Sequence, residues 1–144
     1  MKRRLDLVTL LLSLVGIVLA GYLTIVHYRE NLLVCGISSC HTVQASKYAV
    51  FLGIPVAVLG LAMYVALAIL ALVRLWLPFR EEQATYGLFI LAFAGVLFSG
   101  YLTAIELWVI NAICQWCVVS AILVTVIAVI EGWRVWRLLG AGVQ

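Results

Sequence analysis

The chain alternates between long apolar stretches and short polar connections. Residues 7–26 carry no charged side chain, and three further uncharged stretches follow, each after a polar connection. An α-helix rises about 1.5 Å per residue, so about 20 apolar residues cross a hydrocarbon core of roughly 30 Å. The pattern predicts spans at residues of about 6–26, 55–75, 83–107 and 114–134. We therefore expect an all-α protein, an integral membrane four-helix bundle that forms a single transmembrane domain over residues 1–144.

The longest polar connection is the first outer loop, at residues 27–54. It is rich in Gly, Ser and Asn, which are typical of loops. Ser46 is a suitable N-cap, so we expect a short interfacial helix over residues of about 46–52. Gly53-Ile54-Pro55 indicates a break after it. Because proline is tolerated in the first turn of a helix, the second span is expected to start near Pro55.

Composition supports the membrane class. The sequence is 67% hydrophobic and 10% charged, with a mean hydropathy of +1.23. A soluble chain of this length could not bury that much apolar surface. The alternative for the first span is a cleaved signal peptide, because Val18-Leu19-Ala20 resembles a cleavage site. The apolar run is longer than a usual signal-peptide core, which favours a retained span.

Lysine and arginine are distributed unevenly. Four spans place both termini on the same side as the connection at residues 74–82, and that side holds Lys2, Arg3, Arg4, Arg74, Arg80, Arg134 and Arg137. The opposite side holds only Arg29 and Lys47. By the positive-inside rule, we expect a multi-pass protein of the cell (inner) membrane with cytoplasmic termini. Asp6 and Glu131 are expected to pair with nearby arginines.

Part of the sequence repeats itself. Residues 21–24 (GYLT) recur as residues 100–103, and at the same offset Cys35 matches Cys114. The first and third spans therefore look like parallel copies, each leading outward to a cysteine. Four glycines in the two copies are expected to let helices approach closely. They are Gly16, Gly21, Gly95 and Gly100.

The four cysteines form two pairs. Cys35 and Cys40 lie in the outer loop, and Cys114 and Cys117 form a Cys-x-x-Cys where the fourth span begins. Thiols on the first turn of a helix are activated by the helix dipole. Both pairs are expected on the periplasmic or extracellular face, where disulfides persist. This favours thiol–disulfide chemistry.

Two other interpretations of the cysteines stay open. One is a non-enzymatic membrane protein with two structural disulfides, although such small rings stabilise a fold only modestly. The other is a metal site built from the cysteines and His41, which would need thiolates to converge in an oxidising compartment. Both are less favoured than a redox relay.

A redox relay needs an electron acceptor. The chain carries no nucleotide or haem motif, so a lipid-soluble quinone (ubiquinone, menaquinone or a related compound) is the expected cofactor. Such a ring needs an apolar pocket with one or two polar groups. Ser46, Tyr48 and Phe51 on the short helix are candidates for a lid over that pocket.

Three residues near the Cys-x-x-Cys are further candidates. Asn111 is expected to cap the fourth helix and so to orient Cys114. Trp116 either packs on the quinone or faces lipid. Glu106 is an ionisable residue near the outer end of the third span, where it is either functional or extends to water.

The order of these features resembles the vitamin K epoxide reductase family, particularly its prokaryotic members. The resemblance rests on the spaced pair Cys35 and Cys40, on Ser46-Lys47-Tyr48-Ala49, on Gly53-Ile54-Pro55-Val56-Ala57 and on Cys114-Gln115-Trp116-Cys117. It covers nearly the whole chain. It implies a four-helix bundle around a quinone, with both cysteine pairs on the outer side.

The resemblance also implies a role for each site residue. Cys117 would be the thiolate next to the quinone and Cys114 its partner. Cys40 would exchange with Cys114, and Cys35 would meet an external thiol protein. Ser46 matches the family's serine near the quinone. The expected function is a membrane thiol oxidoreductase that generates disulfides in a thioredoxin-like protein.

Two departures from the family pattern qualify this expectation. The tyrosine that animal members carry four residues after the last cysteine is Ala121 here, which argues against epoxide chemistry. Many bacterial members carry a fused thioredoxin-like domain, and this sequence has none, so the partner is expected to be a separate protein. The unrelated quinone-linked disulfide oxidases are disfavoured, because their Cys-x-x-Cys precedes the other pair.

Overall fold

A computed structural model describes residues 1–29, 31, 42 and 45–143. Four long helices dominate it: α1 (Lys2–Tyr28), α2 (Val56–Trp76), α3 (Glu81–Ile105) and α4 (Gln115–Gly142). All four are long and apolar enough to cross a membrane. The predicted fold class, a membrane helical bundle, is confirmed.

The helices run alternately up and down, and each packs against its neighbours in sequence. Contacts between α1 and α4 close the bundle. The core lies along the bundle axis, and α2, α3 and α4 contribute the fully buried large side chains of its main apolar cluster. They are Tyr64, Leu67, Leu88, Val124 and Ile127.

The first and last helices extend further than their expected spans. α1 begins at Lys2 and α4 continues to Gly142, whereas the apolar pattern suggested about residue 6 and about residue 134. The added turns are more polar because they lie beyond the apolar stretch. At the boundary where these added turns begin, Arg134 on α4 pairs with Asp6 on α1 at 2.6 Å, and it also donates to the Lys2 carbonyl at 2.9 Å.

The predicted short helix over residues 46–52 is wrong in most of its length. A single 3₁₀ turn, Lys47–Ala49, follows Ser46. A two-stranded antiparallel hairpin comes next, formed by β1 (Val50–Phe51) and β2 (Ile54–Pro55). Leu52 and Gly53 connect the strands with φ values of 53° and 82°. A two-residue connection with both φ positive is the geometry that matches strand twist, so the chain reverses instead of continuing as a helix.

The four glycines of the repeated segments fall into two groups, according to the contacts that an added Cβ would make. A Cβ on Gly16 would overlap the ring of Tyr64, and a Cβ on Gly95 would lie 2.5 Å from Met63 Sδ. These two glycines permit close helix packing, as predicted. Gly21 and Gly100 have no atom of the described residues within 4 Å of an added Cβ, so the packing role expected for them is not seen in this part of the chain.

Buried charges tie the four helices together at the end of the bundle that carries both termini. Arg74 on α2 lies 2.8 Å from Asp6 and 2.6 Å from Glu131, and Thr9 donates to Glu131 at 2.8 Å. Thr85 on α3 accepts from Arg74 at 3.4 Å. The expected pairing of Asp6 and Glu131 with arginines is confirmed. We call Asp6, Arg74, Glu131 and Arg134 the charge cluster; its formal charges sum to zero.

Candidate functional site

The thiol pair lies at the start of α4, at the opposite end of the bundle. Cys114 is the N-cap residue, with φ −92° and ψ 112°, and its carbonyl accepts the Val118 N–H at 3.1 Å. Its side chain is fully buried, whereas that of Cys117, one turn later, is half-buried. The two side chains are hydrogen-bonded to each other and both are thiols. Two thiols in contact at this spacing form a pair that can be oxidised to a disulfide.

The chain reaches Cys114 through an irregular segment that follows α3. Residues Glu106–Ile110 form a single π-helical stretch, and Asn111 then adopts a left-handed conformation with φ 52°. The Glu106 carbonyl accepts the Ala112 N–H at 3.1 Å. This sharp turn at the end of α3 brings the beginning of α4 back beside Glu106.

Glu106 holds the thiol pair in place. Its Oε2 accepts the backbone N–H of Cys114 at 3.3 Å, and its carboxyl group is also hydrogen-bonded to the Cys117 thiol. Only 5% of Glu106 is exposed. The alternative in which this side chain extends to water is therefore wrong.

Asn111 does not have the capping role expected from the sequence. It is exposed, and α4 has no side-chain hydrogen bond from its own N-cap residue, Cys114. The Glu106 carboxylate, which approaches from the end of the preceding helix, bonds the Cys114 N–H instead. The acceptor thus lies eight residues upstream of Cys114, further along the chain than the acceptor of a local cap.

The arrangement of the pair favours negative charge on Cys114. The hydrogen bond from the Cys117 thiol lowers the pKa of Cys114 below its ordinary value. Burial and the nearby charge of Glu106 oppose this effect without reversing it. The role of thiolate that the family resemblance implies for Cys117 stays a prediction.

A cavity of about 360 Å³ opens beside the pair, between the helices. Its volume is within the range of sites that hold small cyclic ligands. The walls are mainly apolar and come from all four helices. They include Ala20, Leu23, Val56, Gly60, Met63, Leu91, Gly95, Phe98, Leu102 and Ile110. Its polar groups are Ser46, Tyr48, Ser99, Thr103, Glu106, Cys117 and Ser120.

The loop before α2 covers this cavity. Ser46, Tyr48 and Phe51 all line it, and the Phe51 ring packs edge-to-face on Phe98 of α3 at 5.9 Å between centroids. The structure thus brings the three predicted lid residues to the same cavity as Cys117. The lid is a turn and a hairpin instead of a helix.

Two other predicted binding residues lie elsewhere. The described lining residues include neither Trp116 nor Asn111. Trp116 packs edge-to-face on Tyr22 of α1, with ring centroids 5.5 Å apart, and against Cys114. Trp116 therefore packs against the thiol pair on a side that does not line the cavity. Cys35 and Cys40, predicted as the second redox pair, lie outside the described residues.

Ser120 is a site residue that the sequence did not reveal. It lies three residues after Cys117, hence on the same face of α4, and it lines the cavity. The Tyr64 hydroxyl donates to the Ser120 carbonyl at 2.8 Å and lies 3.1 Å from its Oγ. The spacing from Cys117 is the signal that could have identified it.

One comparison with known proteins bears on this site. A model of the vitamin K epoxide reductase family matches residues 7–131 of the 144-residue chain. The match reaches into all four helices and includes the lid and the thiol pair. The chain therefore belongs to the vitamin K epoxide reductase family, and its general activity is that of a membrane thiol–disulfide oxidoreductase.

Proposed function

We propose that the protein is a quinone-dependent thiol oxidase that generates disulfides in a separate thioredoxin-like protein on the outer side of the membrane. The observation that carries the proposal is the position of Cys117, which lines an apolar cavity inside the bundle while hydrogen-bonded to its buried partner Cys114. A redox-active thiol that opens into an apolar cavity favours a lipid-soluble acceptor over a water-soluble one.

The residues around the cavity suit a quinone. Its apolar walls match a lipid-soluble ring, and polar groups lie at several points around them. Ser46, Tyr48 and Ser120 carry hydroxyl groups that could bond a carbonyl oxygen, and Phe98 and Phe51 could cover the ring. When bound, a quinone supplies a two-electron acceptor; members of this family are known to use such compounds.

The proposed electron path runs through both cysteine pairs. The reduced partner protein passes two electrons to the Cys35–Cys40 disulfide. Cys40, as the thiolate, then attacks Cys114 of the Cys114–Cys117 disulfide, which forms a mixed disulfide and releases Cys117. Cys35 next attacks Cys40, so that the outer pair is oxidised again and Cys114 and Cys117 are left reduced. The direction follows from potentials, since a quinone pool accepts electrons from thiols.

The distribution of charge supports the proposed orientation. Lys and Arg concentrate at the end with the termini, so we place that end in the cytoplasm and the thiol pair on the periplasmic or extracellular face. Ala121 stands where animal members have a tyrosine, so the proposed reaction is disulfide generation and not epoxide reduction.

Thiol trapping tests the proposed function. Purified, reduced protein is treated with an alkylating mass tag before and after addition of a short-chain ubiquinone analogue. We expect the quinone to protect Cys114 and Cys117 from the tag, because they become a disulfide. Cys117→Ala should abolish quinone reduction, whereas Cys35→Ala should block only delivery of electrons from an external thiol protein. Full quinone reduction by Cys117→Ala would refute the assignment.

A further inference from the structure

Glu106, the buried acid beside the thiol pair, lies in a different environment from the buried acids Asp6 and Glu131. Asp6 and Glu131 lie in the charge cluster, each paired with arginine. For Glu106, the described residues provide no Lys or Arg within 4 Å. Its contacts are the Cys114 N–H and the Cys117 thiol. An acid kept within the membrane without a cation is a functional candidate.

The hydrogen bond to Cys117 places the Glu106 carboxyl group next to the thiol that faces the cavity. It faces the cavity and contacts the sulfur that also faces the cavity. Its backbone is fixed by the Ala112 N–H and its carboxylate by the Cys114 N–H. The group is thus held at hydrogen-bonding distance from a thiol proton, as a general base requires.

Few other titratable groups face this point. Among the described residues that line the cavity, Tyr48 from the lid and Cys117 from α4 are titratable besides Glu106, and Cys114 lies directly behind. The segments of α1, α2 and α3 that line the cavity contribute apolar and hydroxyl side chains. Among the described residues, Glu106 is therefore the nearest carboxylate acceptor for the Cys117 proton.

We propose that Glu106 accepts the Cys117 proton during oxidation of the pair and passes it to an oxygen of the acceptor in the cavity. This inference rests on the proposed function. The Cys117 S–H bond breaks, the Cys114–Cys117 S–S bond forms, and two electrons go to the quinone. One quinone O–H bond forms with the proton carried by Glu106, which returns to the carboxylate. The Cys114 thiol releases its proton to solvent, and a proton from solvent completes the second O–H bond of the reduced quinone.

A measurement without quinone tests the base directly. Replacing Cys35, Cys40 and Cys114 by serine leaves Cys117 as the sole cysteine of the sequence. Its alkylation by iodoacetamide is followed against pH. A thiol beside a carboxylate and a thiolate beside a carboxylic acid hold the same number of protons, so the ratio of these two forms does not change with pH. We therefore expect a rate independent of pH over the range in which Glu106 and Cys117 together hold one proton. With Glu106→Gln, the rate should rise about tenfold per pH unit, because only the free thiolate then reacts.

The single-cysteine protein that retains Glu106 is decisive by itself. If its Cys117 alkylation also rises about tenfold per pH unit throughout, the base is absent and the proposal is overturned. Glu106→Gln is expected to fold, because the amide oxygen can still accept the Cys114 N–H. Should that variant fail to fold, the pH profile of the protein with Glu106 is sufficient to support or overturn the proposal.

Turnover supplies the second readout. The reduced four-cysteine protein is mixed with a short-chain ubiquinone analogue, and quinone absorbance is followed. We expect Glu106→Gln to slow the reaction at least about 100-fold, the lower range for loss of a general base. The matched control is Glu82→Gln, an exposed glutamate at the other end of α3, which should change the rate by less than about twofold.

The outcomes separate the two proposals. Unchanged turnover in Glu106→Gln, with turnover present in the parent, overturns the role of Glu106 and leaves the proposed function standing. A parent protein that reduces no quinone overturns the proposed function, while the alkylation profile still decides whether Glu106 takes the Cys117 proton.

Discussion

At the scale of single residues, the contact between Gly16 and Tyr64 links packing to the site. The Tyr64 ring fills the space that a side chain on α1 would take, and its hydroxyl bonds Ser120 at the cavity wall. We expect Gly16→Ala to lower the free energy of unfolding by about 1–3 kcal/mol, because the ring must shift in a packed core. Thermal unfolding in a single detergent measures this. Gly21→Ala is the control: no described atom lies within 4 Å of its added Cβ, so it should be neutral, or stabilising by at most about 1 kcal/mol. Equal stability of the two variants would contradict the prediction.

At the scale of structural elements, the lid depends on its two-residue turn. Gly53 has φ 82°, where a side chain is strained, and Leu52 adopts φ 53° although it is not glycine. We expect Gly53→Ala to loosen the hairpin by about 1 kcal/mol and to raise the apparent KM for quinone several-fold. Leu52→Asn should do the reverse, because Asn tolerates positive φ. Quinone titrations of turnover compare the variants, with Gly140→Ala as a control in the helical tail. Weaker binding by Leu52→Asn than by Gly53→Ala would refute this role of the turn.

The elements also show what the sequence could predict. The four helices follow from uncharged stretches of sufficient length, a signal that the membrane makes strong. The lid hairpin does not, because strands of two residues have no periodicity and Leu52-Gly53 lacks the usual turn sequence Asn-Gly. Cys114, Cys117 and the lid residues were predicted from spacing and resemblance. The contact from Glu106 to the Cys114 N–H depends on a π-helical turn, which no local pattern indicated.

At the scale of the whole molecule, the charge cluster contributes to the stability of the bundle at the end that carries the termini. Removing one partner of a buried ion pair leaves an uncompensated charge, which costs about 3–5 kcal/mol. We therefore expect Glu131→Gln to lower stability by that amount, and the exposed Glu82→Gln to leave it nearly unchanged. The double variant Arg74→Leu with Glu131→Leu keeps Asp6 and Arg134 paired and should recover part of the loss. Thermal unfolding of the three proteins tests this, and a double variant less stable than Glu131→Gln would contradict it.

The charge cluster has a mechanical consequence for the far end of the bundle. Fourteen residues separate Cys117 from Glu131 on α4, which at about 1.5 Å per residue is a lever of roughly 21 Å. A helix pivoting at the charge cluster by about 3° would move its cavity end by about 1 Å. Small changes in helix tilt can therefore widen or narrow the cavity without breaking an ion pair. A bundle held by ion pairs at one end, with a cavity at the other, can therefore accommodate rings of different width through small changes in helix tilt.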